Sequence, residues 1–522
     1  MIPQDIDSKK PSPGPLHHPK AFKGYYQQHS EDVDDEDDDQ QRGRSTSISP
    51  SNITSSAIFS IVCICATLGS GGLIIGVGPF IERMVKDGYF ADRCDGEDTG
   101  CPAQYDAMNP IFNGGFQIMT WATCLAGLCL NTWGPRVNAV LGLLILSGGC
   151  RILAVATTDD GAYVWMVAYG MIGAGGNFLY ISSFHFANLF SEREVPIGLL
   201  GGIFNLSGLI FMALNIPGLD IHTFFTMYFY IGIGLACLVM MLYPDKALQP
   251  GDGYRIKWPS MSHIDCCTPW RELFQDEVTE SISSRRFIYF SILFGWCTMV
   301  NVVIGGLMAT LSASKSNDEK HVTLFNGYVY PAVGNSTFLF TPFVGYLIQK
   351  TGFSLSMLCN VIVTQICIAL CWLPTLYSQY VMLVFFNLIQ AFAYTMEFTY
   401  IQLTYPPQLY GPLIAFVVAF QGVIGLIAWP GLSPNPFGAT AFTPVLLICL
   451  IPSFLLYYVA WHQKQYDDAA KQVVLGKVVN GSSPTSKERL SQMVGEQEQQ
   501  EQESSETTYT LQSQQQDLLQ GK

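Results

Sequence analysis

Runs of about 20 mostly apolar residues, nearly free of charge, recur twelve times along this chain. Inside a bilayer every backbone amide and carbonyl must be satisfied within its own segment, so runs of that length and character predict transmembrane helices. Their limits are residues 55–80, 109–130, 137–157, 163–186, 195–215, 222–243, 287–311, 324–348, 354–374, 380–403, 411–432 and 441–461. The second and third are parted only by a Gly-Pro turn at Gly134 and Pro135. Two-residue alternation of strand type is absent, which removes an outer-membrane barrel. With 49% hydrophobic and 13% charged residues, the chain lacks the dispersed charge of a soluble enzyme and the basic face of a nucleic-acid binder. The expected fold is an all-α membrane protein of twelve transmembrane helices.

Charge placement orients those helices. An even number of crossings puts both ends on one side. If that side is cytoplasmic, 21 of the 27 Lys and Arg residues lie inside, five lie outside (Arg83, Lys86, Arg93, Lys315, Lys320), and Arg151 falls within a span. The long polar stretch after span six divides the chain evenly. The organisation expected is an acidic disordered tail (1–52), a six-helix bundle (53–243), a cytoplasmic linker (244–285), a second six-helix bundle (286–462) and a disordered tail (463–522). The block of like charge from Glu31 to Asp39 and the Gln, Glu and Ser richness of the last 30 residues deny either tail a core of its own. Either is open to cytoplasmic partners.

A short pattern repeats at equivalent places in the two halves. After span two the chain carries Gly127, Asn131, Gly134 and Arg136; after span eight it carries Gly345, Gln349 and Gly352, at the same spacing and 218 residues later. This resembles the cytoplasmic signature of the major facilitator superfamily, Gly-x3-Asp-x2-Gly-x-Arg/Lys, whose acid helps to latch the cytoplasmic gate. Here Asn131 and Gln349 replace the acid, so a latch would be a hydrogen bond, and only the first copy keeps its base, Arg136. Span four carries Tyr169, Gly173 and Gly175, resembling the superfamily's Arg-x3-Gly-x-Gly with Tyr for Arg, a departure that argues against its proton-coupled members. The resemblance implies two six-helix bundles with pseudo-twofold symmetry.

Several strings are similar to solute carrier family 43: Cys94 and Cys101 after span one, Asn188 to Phe190 ending span four, Ser284 to Phe287 opening span seven, and Tyr405, Pro406, Tyr410 and Gly411 before span eleven. That family implies facilitated transport of large neutral amino acids, with a nucleobase-transporting branch. Cys94 and Cys101 share an exoplasmic loop and either pair as a disulfide or stay reduced.

Such a fold lines its midplane site with spans one, four, seven and ten. Span ten places Asn387, Gln390, Tyr394 and Glu397 on one face, either as a substrate wall or as interhelical glue. Glu397 lies toward the cytoplasmic mouth, suiting a gate together with Asn131, Arg136 and Gln349. Span four offers Asn177, Tyr180 and Ser183 behind Gly173, Gly175 and Gly176. The glycines of span one, Gly71 and Gly72 among them, are compatible with local unwinding that exposes backbone to a ligand, or with close packing. Span seven supplies Trp296 and Asn301. Asn113, Gln117 and Thr120 of span two and Gln421 of span eleven rank second. Arg151 is expected to reach Asp159 or Asp160, His185 and His222 to be interfacial, and the Asn-x-Ser/Thr sequences at Asn52, Asn205, Asn335 and Asn480 to escape glycosylation. Cys266 and Cys267 lack a second pair, so no metal site and no cofactor are expected.

No acid, nucleophile and histidine gather at one depth, so an enzyme is not expected. The function expected is a facilitator, most simply a uniporter, of a small neutral organic solute, foremost a large neutral amino acid, in the lipid bilayer of the plasma membrane or alternatively of an endolysosomal or mitochondrial membrane, working by rocker-switch alternating access. The alternatives are a nucleobase transporter of the same fold and a non-transporting transceptor or scaffold.

Overall fold

The computed structural model describes residues 50–94, 102–157, 160–249, 254, 276–315, 321, 324–406, 409–432 and 442–479. Cys101, Asp159, Cys266, Cys267 and most of both tails lie outside them. Their helices, in chain order, are α1 (Pro50–Gly69), α2 (Val77–Lys86), α3 (Pro102–Leu153), α4 (Ala162–Ser183), α5 (Glu194–Gly208), α6 (Ile221–Leu242), α7 (Asp276–Ser283), α8 (Arg285–Lys315), α9 (Tyr330–Gly334), α10 (Thr341–Thr351), α11 (Phe353–Trp372), α12 (Leu376–Thr404), α13 (Tyr410–Leu432) and α14 (Phe442–Val479).

The described residues of the apolar runs are mostly helical, but several helices are interrupted. The first run breaks at Ser70, whose backbone is extended (φ −76°, ψ 160°), continues as a 3-10 turn over Gly71–Gly76, and bends by 40°. The run at 324–348 is a π turn (Phe325–Val329), α9, a 3-10 turn (Ser336–Leu339) and α10. Among the described residues seven helices have the length and apolarity to cross a membrane, or eight if the bent pair α1–α2 counts as one. The second and third runs are a single helix by hydrogen bonding, α3, yet Gly134 inside it has φ 77° and ψ 165°. Only glycine takes that conformation without steric cost, so Gly134 turns the chain where Pro135 begins the next helix. Gly352, between α10 and α11, has almost the same backbone (φ 87°, ψ −176°).

Two expectations change at the edges. Helix α14 continues to Val479, so helix reaches well into the residues assigned to a disordered tail. Arg151 is exposed and Asp160 turns instead to Thr157, accepting from its backbone N–H (2.7 Å) and hydroxyl (3.1 Å). His185 is a third correction. It is buried in the turn after α4, with Nε2 unpartnered, rather than interfacial. His222 does sit at a boundary, between Tyr89 Oη and the Ala154 carbonyl, each 3.1 Å away.

The chain leaving α6 folds back under the first half. Arg136 is buried there. It ion-pairs through Nη1 with Asp245 and donates from Nε to the Tyr243 carbonyl (2.6 Å). Asn188 Nδ2 donates to the Leu248 carbonyl (2.8 Å), and burial pushes the hydroxyl of Tyr254 in this segment above its usual range. This marks one end of the molecule, called below the linker end.

Candidate functional site

The two halves of the chain meet along α3 with α13 and along α5 with α10 and α12. At the linker end these contacts are backbone to backbone. A Cβ on Gly127 would lie 2.9 Å from the Gly411 carbonyl oxygen, and one on Gly411 would overlap the Gly127 carbonyl and come within 3.1 Å of the Asn131 side chain. Across the second seam, a Cβ on Gly345 would sit 2.8 Å from Glu194 O, and one on Gly198 would sit 2.9 Å from Thr341 O. Four glycines thus let the helices approach closer than any side chain permits. Asn131 lies in this contact. Arg136 is paired with Asp245 of its own half, and Gln349 is half-buried at the end of α10.

Above that seal lies a layer of rings drawn from both halves. Phe184 stacks on Phe398 (4.1 Å between centroids, 19°), Tyr180 meets Phe398 edge-on (5.6 Å), and Phe204 bridges Tyr180 (5.0 Å) and Tyr394 (5.2 Å). Glu397 sits beside this layer with its carboxyl buried, accepting one hydrogen bond from Gln421 Nε2 at 2.9 Å. Its α-carbon lies about 10 Å along the helix from the end of α12 at Thr404, at 1.5 Å per residue. The hydroxyl of Tyr180 is buried and unpartnered, and it interacts electrostatically with both Tyr394 and Glu397. Tyr394 itself keeps part of its surface open.

One turn further from the linker end the interface becomes polar. Thr337 Oγ1 lies 2.9 Å from Asn387 Oδ1 and 2.8 Å from Gln390 Oε1, while Asn387 Nδ2 donates to the carbonyls of Val333 (2.6 Å) and Leu383 (2.8 Å). One hydroxyl hydrogen serves one oxygen, so the chemically complete arrangement has Gln390 donating to Thr337 through its NH2. Opposite stands Asn205 of α5, wholly buried, with both ends of its amide unpartnered. It shares a helical face with Gly198, Gly201 and Gly202, which lie against Thr341, Tyr394–Thr395 and Phe338. Because α5 runs antiparallel to α10 and α12, that face brings Asn205 to the level of Thr337 and Gln390.

The buried stripe of α12 therefore carries two kinds of work. Asn387 and Gln390 bind the broken helix within their own half, whereas Tyr394 and Glu397 stand at the meeting of halves. Other expected residues separate in the same way. A Cβ on Gly71 or Gly72 would overlap Asn177 Oδ1 or the Phe204 carbonyl, so the broken first span packs closely against α4 and α5 in this structure. Asn177 donates to Thr123 Oγ1 (2.5 Å), and Trp296 Nε1 is committed to the Cys449 carbonyl (2.9 Å). Asn301 is half-buried with Oδ1 unpartnered. Gln117 and Thr120 face α13 at Gly425 and Gly422. Cys94 is disulfide-bonded, and its expected partner Cys101 is outside the described residues. Tyr169, in the place of the signature Arg, donates to the Ile74 carbonyl (2.7 Å) of the broken span and stacks on Phe80 (5.4 Å).

Sequence reasoning missed Thr337, Phe398, the polar role of Asn205, and Asn335, whose Nδ2 donates to the Pro331 carbonyl (2.7 Å) while its Oδ1 lies against Gly208 of α5. Thr337 and Asn335 belong to an interrupted helix whose break hydropathy does not register. The sequon pattern drew attention to Asn205 only as a glycosylation question.

Packed helical halves, closed at one end by glycines and carrying a buried aromatic and polar layer between them, define a membrane carrier of the multi-pass helical class. Residues 108–430, well over half of the chain, match the family model of the Major Facilitator Superfamily, and the chain belongs to that family of transporters. It is similar to Protein FMP42 of Saccharomyces cerevisiae (28% identical over 205 residues, 36% of this chain and 40% of that one) and to the human large neutral amino acids transporter small subunit 3 (23% over 184 residues, 32% and 33%). These two matches thus span well under half of either relative. Longer matches reach the aromatic and large neutral amino acid transporter 5-3 of Toxoplasma gondii (24% identical, 67% of this chain and 72% of that one) and the equilibrative nucleobase transporter 1 of Bos taurus (20%, 70% and 86%). The chain thereby resembles solute carrier family 43 within the superfamily. Among solved structures, the human organic anion transporter MFSD10 shares the fold (TM-score 0.51, 14% identity, 78% of this chain and 99% of that one).

Proposed function

We propose that this protein is a facilitator of large neutral amino acids that works by alternating access. In this reading twelve crossings form two bundles, 53–243 and 286–462, related by a pseudo-twofold axis and joined by the linker 244–285. Both termini and the linker are cytoplasmic, the linker end is the cytoplasmic gate, and the membrane is the plasma membrane. The observation that carries the reading is the composition of the seam. It is made mainly of glycine contacts, stacked rings and neutral polar groups beside the buried carboxyl of Glu397; the charged neighbours Arg193 and Glu194 are buried at its linker end, where Arg193 meets the Tyr410 hydroxyl of the other half. Contacts of this kind separate and re-form without stranding charge in lipid, which is what rocking halves require. Tyr180, Tyr394, Glu397 and Asn301 are the candidate substrate contacts, and Asn131, Gly127 and Gly411 the gate.

A nucleobase is the second reading, favoured by the length of the match to the bovine nucleobase transporter and by Asn205, whose free amide presents a donor and an acceptor side by side. Uptake into proteoliposomes separates them. Saturable leucine or phenylalanine flux that adenine does not compete supports the amino acid reading; adenine or guanine flux without it refutes that reading.

A further inference from the structure

Glu397 places a carboxyl beside the ring layer of the seam. The carboxyl is buried, and it accepts a hydrogen bond from a neutral amide, Gln421, on the neighbouring helix. The ion pairs Arg83–Asp87, Arg93–Asp92 and Arg136–Asp245 lie elsewhere, and the group hydrogen-bonded to Glu397 is the uncharged Gln421. A carboxylate left in that condition within a membrane is costly, and natural chains keep one there for a counter-charge or a proton. Its surroundings discriminate. Tyr180 from the first half carries a buried, unpartnered hydroxyl and packs edge-on against Phe398, the next residue, and both Tyr180 and Tyr394 are near enough to interact electrostatically with it. Phe204 and Phe398 complete the ring layer on the seam beside these groups. Cys297, which accepts from Asn360 Nδ2 at 3.1 Å, also interacts with the carboxyl and brings no positive charge.

We propose that Glu397, with the Tyr180 hydroxyl and the ring faces around it, is the recognition site for a primary ammonium group of the transported solute. This inference rests on the amino acid reading above and identifies which end of the substrate the protein reads. An ammonium has three donors and one charge. The carboxylate and the phenol oxygen of Tyr180 accept from it, and aromatic faces stabilise a desolvated cation. The site also joins the halves, Tyr180 from α4 and Glu397 from α12, so a bound ammonium bridges them at the level where the rings close.

The test uses the full-length protein in proteoliposomes with phenylalanine as the transported solute. Phenylalanine methyl ester keeps the ammonium and masks the carboxylate; 3-phenyllactate replaces the ammonium with a hydroxyl. In the unaltered protein the ester competes and the lactate does not. Glu397→Gln raises KM for phenylalanine at least tenfold and removes the preference between the two competitors, while Glu397→Asp and Tyr180→Phe each raise it several-fold. Purified protein is also stabilised against heat by phenylethylamine, and Glu397→Gln abolishes that shift.

Unchanged KM and unchanged preference in Glu397→Gln overturn the proposal. So does phenylalanine uptake that carries protons and loses them in Glu397→Gln, which would assign the carboxyl to a proton. Where the unaltered protein moves no amino acid, the functional reading fails, and the phenylethylamine shift decides the ammonium site separately: its absence overturns that as well.

Discussion

The glycine seam makes the strongest demand on the mechanism. Replacing Gly411 by Ala places a methyl group onto the Gly127 carbonyl of α3 and against Asn131, so the linker end can close only if α3 and α13 separate. Forcing an extra methyl into a packed contact costs about 1–3 kcal/mol. If the linker end opens during transport, that cost falls on the closed state alone and shifts the balance toward the open one by about 5- to 150-fold, at 1.4 kcal/mol per factor of ten. Gly234→Ala is the control, since nothing lies within 4 Å of a Cβ at that position and the change favours helix. Gly142→Ala is a second control, because its Cβ would strike the Gly175 carbonyl within the same half and should lower stability without changing the balance of states. The readout is labelling of a cysteine introduced near the linker end at residue 349, in otherwise cysteine-silent protein, together with uptake rate. Faster labelling in Gly411→Ala, with Gly234→Ala unchanged, is expected. Equal labelling and equal uptake in all three variants would refute the idea that this seam opens.

Tyr169→Phe removes one buried hydrogen bond to Ile74 while leaving the stack on Phe80, so thermal unfolding should show a loss of about 1 kcal/mol with KM unmoved. Asn387→Ala takes one partner from Thr337, which keeps Gln390, and one from the Val333 carbonyl, which keeps Ser336, and should cost about 1 kcal/mol per lost hydrogen bond, seen as reduced folded yield; a variant that folds normally and loses only flux would return Asn387 to the substrate wall. Asp220 caps α6 through Thr223, whose hydrogen bonds hold its carboxyl below the usual range. Its contribution, about 1 kcal/mol by comparison with other caps, is therefore present at neutral pH and fades as pH falls through the lowered folded value; Asp220→Ala should remove that part of the acid dependence of melting. Asp245→Asn should destabilise more than Asp467→Asn in parallel melts, because the first leaves the buried Arg136 guanidinium without its anion and the second still offers an oxygen to Ser354 N–H.

The helical class was legible because lipid imposes one rule on every segment: an apolar run of sufficient length must satisfy its own backbone. The rule says where helices lie but not where they break. Ser70 and the stretch from Phe325 to Leu339 read as ordinary apolar sequence, yet the first span bends where Gly72 and Gly76 meet the backbone of α5 and the eighth is divided between Tyr330 and Thr337. Only tertiary contact reveals that. The polar face of α12 was legible from spacing alone, as four residues at steps of three and four. Its division between Asn387, held by Thr337, and Tyr394, set against Phe204, depends on which neighbour each residue meets, and helical periodicity contains no neighbours. Arg136 illustrates the same limit. Its place in a repeated pattern pointed to a gate, but its partner Asp245 lies in the strap beyond α6, a residue no local pattern connects to it.

That strap has a counterpart, and the pair shows what the repeat preserves. The turns at Gly134 and Gly352 share a left-handed backbone 218 residues apart, and in each half the chain past the last apolar run returns an aspartate to the turn. Asp245 takes Arg136 two residues after Gly134; Asp467 accepts from the backbone N–H of Ser354, two residues after Gly352, at 2.8 Å, and from Gln463 Nε2 at 2.8 Å. One turn is held through a guanidinium and the other through a backbone amide. What persists between the halves is therefore a position for an anion beside a glycine turn, not a residue pair. Each turn leads into a helix start, where an anion is favoured by free N–H groups, so the second half can dispense with the arginine that the first retains. A search for the repeat by residue identity finds two glycines, whereas a search by electrostatic role finds the aspartates too. The latter is the better guide to which groups tie the outer helices of each half to the helices that must move together.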